Sequence, residues 1–538
     1  MEDTYLWWRD GVIYQIYPRS FADSNGDGIG DLRGILGKLD YLQALGIDAL
    51  WLSPIYPSPD VDYGYDVSDH CAIDPRLGTM ADFEQLVAHA HHRGIRIILD
   101  LVLNHTSDQH PWFQESRADR TNPKRDWYLW QPSIPNNWKS VFGGGGWELD
   151  TQTGEYYFHM FVKEQPDVNW RNPQVRQAQL HVVRFWMNKG VDGFRLDVFN
   201  AYLKHKELQR NPTKFGLRAF DRQHHIHDID QPEMIGLLQE LRTILDSQPE
   251  TYAVGETFLA TPERAVSYCG SDKLHAAFNF TFTNQPCKPE CFKKAILDWD
   301  RVTGDGVWPN YVLSNHDLPR TATRYARDGR GAGLSGPGKK YEEVDKAACN
   351  QDARLSGNHI HLEDDTYPAL AMAMLLTLRG TPFLYYGEEI GMRDIRLKRK
   401  EILDPPGRYY WPFFVGRDGC RSPMQWDHTP AQSFWLPFHP NYLWRNVEAQ
   451  NNNPDSLLHL TRNLIALRKE QPALRQGKME FAPSTSRASL HYRRILGDQR
   501  IRVELDFSKQ ALMPPVLAEN EQLLFEAWGS RIRIVKEC

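Results

Sequence analysis

Four times in this chain a helix-like amphipathic run ends in glycine, and a short apolar, β-rich run follows at once. The four are Leu45-Gly46 before Ile-Asp-Ala-Leu-Trp-Leu, Arg93-Gly94 before Ile-Arg-Ile-Ile-Leu-Asp-Leu-Val-Leu, Lys189-Gly190 before Val-Asp-Gly-Phe-Arg-Leu, and Arg379-Gly380 before Thr-Pro-Phe-Leu-Tyr-Tyr. Helices closed by glycine and feeding strands that are apolar on both faces make a parallel α/β sheet. Gly11 to Tyr17, Thr251 to Gly255 and Tyr311 to Ser314 read as further strands. All seven end in polar or aromatic residues, the end at which barrels carry their active groups. A doubly wound sheet would need a switch point and a phosphate-binding glycine turn. Gly143 to Gly146 follows no suitable strand and reads as a flexible loop. The fold class expected is α/β, a (β/α)8 barrel.

With 538 residues the chain exceeds a bare barrel. The aromatic, Pro- and Asn-containing stretch from His105 to about Trp170 is too long for a connecting loop, so a loop-rich subdomain inserted after the third strand is expected there. Short alternating strands after the helical run Leu464 to Lys469 suggest a C-terminal antiparallel β domain. The expected division is barrel at 1–104, insertion at 105–170, barrel again at 171–463, and β domain at 464–538.

A formal net charge of -6 argues against a nucleic-acid or anionic-membrane partner, whose interfaces want clustered Lys and Arg, and a neutral substrate fits better. No stretch is long and apolar enough to span a bilayer, and Met1-Glu2-Asp3-Thr4-Tyr5 has neither a basic start nor an apolar run. The expectation is a cytoplasmic enzyme, a monomer or a weak homo-oligomer. Seven scattered cysteines do not form the framework of a small secreted domain. Cys287 and Cys291 lack the second pair of a zinc site and read as structural thiols.

On the fourth strand Arg195 and Asp197 lie two apart and share the face toward the barrel mouth. The guanidinium is expected to keep Asp197 ionised. Such a carboxylate can attack an anomeric carbon if a second, protonated carboxyl supplies a proton to the departing oxygen. Glu256, ending the next strand, is the candidate acid, and Asp317 ends another strand. Alone, each is as well explained as an ion pair or a helix cap. Together with Asp100, His105 and His316 they put polar groups at four successive strand ends.

The segments Asp100-Leu-Val-Leu-Asn-His105, Gly193-Phe-Arg-Leu-Asp197, Gly255-Glu256, Ser314-Asn-His-Asp317 and Arg421-Ser-Pro-Met-Gln-Trp426 resemble the α-amylase family of glycoside hydrolases, family 13. Tyr14-Gln-Ile-Tyr-Pro-Arg-Ser-Phe21 and Tyr385-Tyr-Gly-Glu-Glu-Ile-Gly391 are further matches, and the likeness, which is to its oligo-1,6-glucosidase and α-glucosidase branch, runs from about Trp7 to about Leu474. The resemblance implies an exo-acting retaining α-glucosidase, with Asp197 as nucleophile, Glu256 as acid/base and Asp317 gripping ring hydroxyls. It implies His105, His316 and Arg195 around the bound glucose, Tyr65 beneath its ring, and an Asp62–Arg421 pair closing the pocket. A covalent glucosyl-enzyme also allows some transfer to other hydroxyls. Sucrose isomerase, sucrose-acting α-glucosidase and endo-acting amylase remain rivals among enzymes. A non-catalytic amylase-like relative would have lost the carboxylates that this chain keeps.

Asp23-Ser-Asn25-Gly-Asp27-Gly28-Ile29-Gly-Asp31 matches the first nine positions of a calcium loop, with Gly34 where the bidentate Glu would stand. A solvated acidic turn explains the same residues. The resemblance favours one structural calcium or magnesium held by Asp23, Asn25, Asp27, Asp31 and the Ile29 carbonyl, with no cofactor for catalysis. Phe142, Phe161 and Phe280 are candidate walls of the acceptor side, and Val in the place of Val198 accompanies α-1,6 acceptance in this branch. The polar Asp328 to Asp365 insertion is longer than is usual in the family, and Arg320, Arg324 and Arg327 near it decide nothing about isomerisation.

Overall fold

The computed structural model describes residues 5–325, 362–429, 434–483, 486–508 and 516–537. Almost all of the Asp328 to Asp365 insertion lies outside them, as does Arg327. The chain opens with β1 (Ile13–Ile16), β2 (Ala49–Leu52) and β3 (Arg96–Leu101). Three short strands follow, β4 (Trp130–Gln131), β5 (Trp147–Asp150) and β6 (Glu155–Phe158), paired antiparallel in the order β4-β6-β5. They build the inserted subdomain. The large sheet resumes with β7 (Gly193–Leu196), β8 (Tyr252–Gly255), β9 (Ala276–Ala277), β10 (Asn310–Val312) and β11 (Thr381–Tyr385).

The large sheet runs β10-β11-β1-β2-β3-β7-β8-β9, and every pairing is parallel. Its two edges meet through a side chain: Asn310 Nδ2 donates to the Ala277 carbonyl at 2.9 Å. The result is a (β/α)8 barrel. Ala276–Ala277 is the strand that the sequence did not reveal, because two alanines make no apolar run.

Alternate residues of the strands point inward and fill the barrel with Ile13, Ala49, Trp51, Ile98, Val254, Val312 and Phe383. The outer helices are bounded as their sequences direct. Thr79 and Asn172 cap the N-termini of Met80–His92 and Pro173–Asn188, while Gly46 (φ 92°) and Gly190 (φ 88°) supply the left-handed turns that return the chain to β2 and β7. Gly143 to Gly146 is no free loop. A Cβ on Gly143 would strike the Tyr409 ring, and Gly146 N–H donates to the Trp138 carbonyl.

The expected boundary at 464 falls inside the helix Leu457–Glu470. The buried Arg468 of that helix donates to the carbonyls of Leu376, Leu378, Gly380 and Leu474. These bonds tie the helix to the barrel, so the β domain begins later. It comprises β12 (Lys478–Phe481), β13 (Ser489–Leu496), β14 (Gln499–Asp506), β15 (Glu521–Ala527) and β16 (Ile532–Glu537), in the antiparallel order β12-β13-β14-β16-β15. Among the described residues no helix is long and apolar enough to cross a membrane.

Candidate active site

Parallel register sets Asp100 beside Arg195 and Arg195 beside Val254 at the C-terminal end of the barrel. Asp197 N–H still donates to the Leu101 carbonyl at 3.0 Å and Glu256 N–H to the Leu196 carbonyl at 2.9 Å. These last ladder bonds carry both acidic side chains to the rim. The Arg195 guanidinium is buried at the centre. Its Nη1 donates to Asp100 Oδ1 at 2.6 Å and to Asp197 Oδ1 at 2.7 Å, and its Nη2 donates to Glu256. Asp100 also accepts from Tyr65 Oη at 3.0 Å and Trp51 Nε1 at 3.3 Å.

One guanidinium thus faces three carboxyls, Asp100 and Asp197 buried and Glu256 largely so, and burial outweighs its attraction. Glu256 is pushed up to about 8, first by burial and then by the charges of Asp197 and Asp317, against Arg195. Burial raises Asp197 and Asp100 as well, again against Arg195. The expectation that the guanidinium keeps Asp197 ionised needs one addition: burial outweighs Arg195 at Asp197 itself, and Asp197 stays ionised because a neighbouring carboxyl carries the proton. A single positive charge cannot balance three negative ones in a dry site, so the cluster retains a proton. Glu256 stands highest and holds it, which leaves Asp197 as the anion on Nη1.

Across the pocket the balance differs. Asp317 Oδ1 accepts from Arg417 Nη1 at 3.1 Å and from Arg421 Nη2 at 3.0 Å. Burial pushes its carboxyl up, yet its neighbours hold it well below the usual carboxylate range. His316 lies 3.4 Å away but is pushed down to about 3 by burial and stays neutral, so the two arginines supply the positive charge. Asp62 pairs with Arg417 Nη2 at 2.5 Å. The expected partner, Arg421, is committed elsewhere: it is buried, with Nε on the His316 carbonyl at 2.8 Å. Arg417 is aimed by the buried Asp404, which accepts from its Nε at 2.8 Å and its Nη2 at 2.7 Å.

Tyr65 and His316 rings stack 5.1 Å apart, with Tyr65 Oη 2.6 Å from His316 Nε2. His105 is pushed down to about 4 by burial and lies 3.0 Å from the Tyr65 carbonyl. Gln165 Nε2 donates to that carbonyl at 3.1 Å and to Asp62 Oδ2 at 3.3 Å. Phe161 borders His105 at 5.2 Å and Phe142 at 5.4 Å, and Arg417 lies over the Phe142 ring at 5.0 Å. Phe280 instead sits 6.0 Å from Phe278 and packs against the barrel-filling cluster. Every proposed catalytic and sugar-facing residue is thus gathered at one barrel mouth, although Arg421 holds a different partner from the one expected.

The family model of the α-amylase catalytic domain matches residues 15–335 and 353–477. The chain belongs to the α-amylase family. It is 39% identical to a probable α-glucosidase of Rhizobium meliloti over 94% of this chain and 90% of that protein. It is 36% identical to an oligo-1,6-glucosidase of Parageobacillus thermoglucosidasius over 97% and 93%. Among solved structures, the α-glucosyl transfer enzyme XgtA superposes with a TM-score of 0.88 at 35% identity, covering 99% of this chain and all of that one. An isomaltulose synthase of Protaminobacter rubrum gives 0.83 at 30% identity, covering 99% of this chain and all of that one. As a member of this family the protein is a glycoside hydrolase.

Two residues of this glycosidase pocket escaped the sequence. Arg417 stands four places before Arg421 in Gly416-Arg-Asp-Gly-Cys-Arg421, and only the fold shows which of the two reaches Asp62. Gln165 lies in the insertion, far in sequence from Asp62 and His105, and carried no motif.

In the Asp23–Asp31 loop the acidic side chains serve the loop itself. Asp23 accepts from the N–H groups of Asn25, Gly26 and Gly28, and Asp27 from that of Ile29. Asp31 caps the helix Leu32–Gly37 through Gly34 N–H at 2.7 Å and accepts from Ser24. Among the described residues no three acidic, histidine or cysteine side chains converge as a metal cage. The donor chemistry of three carboxylates, the Asn25 carboxamide and the Ile29 carbonyl still fits a hard cation with oxygen ligands.

Proposed function

We propose that this hydrolase is an exo-acting retaining α-glucosidase that releases glucose from the non-reducing ends of short α-glucosides, α-1,6 bonds above all. The observation that carries the reading is that Asp197 and Glu256 touch the same guanidinium. The two carboxyls also lie within hydrogen-bond reach of each other, which leaves no room for the water that an inverting pair holds across roughly 6.5 to 9.5 Å. Asp197 attacks C1 as the protonated Glu256 gives its proton to the departing oxygen. Ionised Glu256 then takes a proton from the water that releases α-glucose. The Arg417–Asp62 bridge, with Asp317 beside it, closes the far end of the pocket and favours a single terminal sugar.

The glucosyl-enzyme is equally open to sugar or alcohol hydroxyls. The structural likeness to a glucosyl transfer enzyme supports some transglucosylation, and sucrose belongs among the substrates to try. Cys71, Cys269, Cys287, Cys291 and Cys420 are free thiols, which suits a cytoplasmic enzyme acting as a monomer or weak homo-oligomer. Product analysis on isomaltose, maltose, sucrose and starch tests the assignment: glucose from isomaltose is expected, and isomaltulose from sucrose or dextrins from starch would replace it. Val198→Thr should lower the isomaltose-to-maltose ratio of kcat/KM by about ten- to two-hundredfold. An unmoved ratio would take linkage preference away from this residue.

A further inference from the structure

Val198, directly after Asp197, has φ 35° and ψ 38°. A β-branched residue reaches that left-handed region only under strain. Strand β7 ends at Leu196, Val198 reverses the chain, and its carbonyl accepts from Ala201 N–H at 2.9 Å to open the short turn Phe199–Ala201. The turn is gripped from two sides. The buried Val198 side chain belongs to an apolar cluster with Val141, Met160, Phe161 and Phe220. The Asn200 carboxamide exchanges hydrogen bonds with the backbone of Phe258, accepting from N–H at 2.8 Å and donating to the carbonyl at 2.9 Å, and it also donates to Asp230 Oδ1 at 3.0 Å. Phe258 lies two residues after Glu256, so one short turn joins the backbone that carries the nucleophile to the backbone that carries the acid. Strained conformers persist where their surroundings over-determine them.

We propose that the Val198 turn is a positioning device: its branched side chain, wedged in the apolar cluster, holds the left-handed turn that aims the Asp197 carboxylate and fixes its offset from Glu256. The inference rests on Asp197 being the nucleophile. It differs from a role as a wall for the leaving sugar, because a wall acts only on substrates that have such a sugar, whereas a positioning turn acts on every glucosyl donor.

α-Glucosyl fluoride separates the two. A carboxylate oxygen of Asp197 forms the ester bond to C1, the C1–F bond breaks, and fluoride leaves with the electron pair. Water then displaces Asp197 with loss of a proton. Val198→Thr keeps the branch and should stay within about twofold of wild-type kcat on the fluoride. Val198→Gly and Val198→Asn tolerate the left-handed turn but lose the wedge. Their kcat should fall by about tenfold to a hundredfold with KM little changed, the scale of a misplaced reacting group. Wild-type kcat in the Gly and Asn variants, or a Thr variant that falls as far as they do, overturns the proposal. If Val198→Gly does not fold, Val198→Asn decides. Asp197→Asn is the control: activity retained there removes the nucleophile assignment itself, whereas an inactive Asp197→Asn beside an unimpaired Val198→Asn removes only the positioning role.

Discussion

The two sides of the pocket use the same kinds of side chain to opposite ends. Around Arg195, three carboxyls share one guanidinium, and burial drives all three upward. Across from it, Asp317 takes two guanidiniums, Arg421 and an Arg417 shared with Asp62 and Asp404, has a side chain 30% exposed, and is held far down. The side short of positive charge can hold a proton and pass it on. Asp317, with two guanidiniums on it, is a fixed anion that can only accept hydrogen bonds, whereas burial raises Asp62 beside it. The number of guanidiniums on each carboxyl, weighted by burial, thus sets Glu256 apart from Asp317 within one cleft.

Removing a member of the proton-holding side should have the largest effect. Asp197→Asn is expected to abolish turnover with the fold intact, and Glu256→Gln to lower kcat roughly a hundredfold or more. Near-normal hydrolysis by either variant would erase the distinction between the sides. Proton NMR of the first-formed glucose should show the α anomer, and a β product would require another carboxylate pair.

On the recognition side, Arg417→Ala strands the buried Asp404 and Asp62 together. Truncating one partner of buried charge pairs costs about 2 kcal/mol or more, so kcat/KM should fall by roughly thirtyfold. Arg417→Lys should not restore it, because one ammonium cannot reproduce Nε and Nη2 on Asp404 together with Nη1 on Asp317. An unaffected Arg417→Ala would return the closing role to Arg421.

The pH profile sharpens the contrast further. Glu256 must be protonated to act as an acid and stands at about 8, so kcat/KM should fall as pH rises through that value. Asp317 must stay ionised and is held low, so it should set no limit until well into acid. Replacing Arg417 should bring an Asp317 limit up toward the ordinary carboxylate range while leaving the basic limb near 8. A basic limb near 6 in the wild type would show that Arg195 outweighs burial.

The chain announced most of this arrangement through residues that sit two apart or at strand ends. Arg195 and Asp197 share a face by period alone, and the glycines at 46 and 190 mark where helices stop. What stayed hidden depends on contacts between distant segments. The closing of the barrel needs Asn310 to meet Ala277, the pocket's far wall needs Arg417 to meet Asp62, and the raised carboxyls need a burial that no spacing records. Arg421 misled because it too reaches the pocket, from four residues further along and toward a different carboxylate. The end of the barrel was not legible, since Arg468 binds barrel carbonyls from within a helix that reads as the start of the next domain.

The smallest effect expected lies in a third gathering of carboxylates, to which no arginine among the described residues donates a hydrogen bond. Asp23, Asp27 and Asp31 spend their oxygens on backbone N–H groups, the Asn25 carboxamide and the Ser24 hydroxyl. If a calcium or magnesium ion supplies the missing positive charge, it binds only the folded loop. It therefore adds stability that grows with the logarithm of its concentration above its dissociation constant. The loop joins the short helix Pro18–Phe21 to the helix Leu32–Gly37, and among the described contacts none of its residues touches Arg195 or Arg417. Chelation should accordingly lower the melting temperature by a few degrees and leave kcat at low temperature unchanged, with calcium add-back restoring the melt. Asp27→Asn should reproduce the shift and remove its calcium dependence. No thermal shift, together with no metal by elemental analysis, would leave the loop as a turn that neutralises its carboxylates through its own N–H groups, and charge balance by a counter-ion would then be a property of the sugar pocket alone.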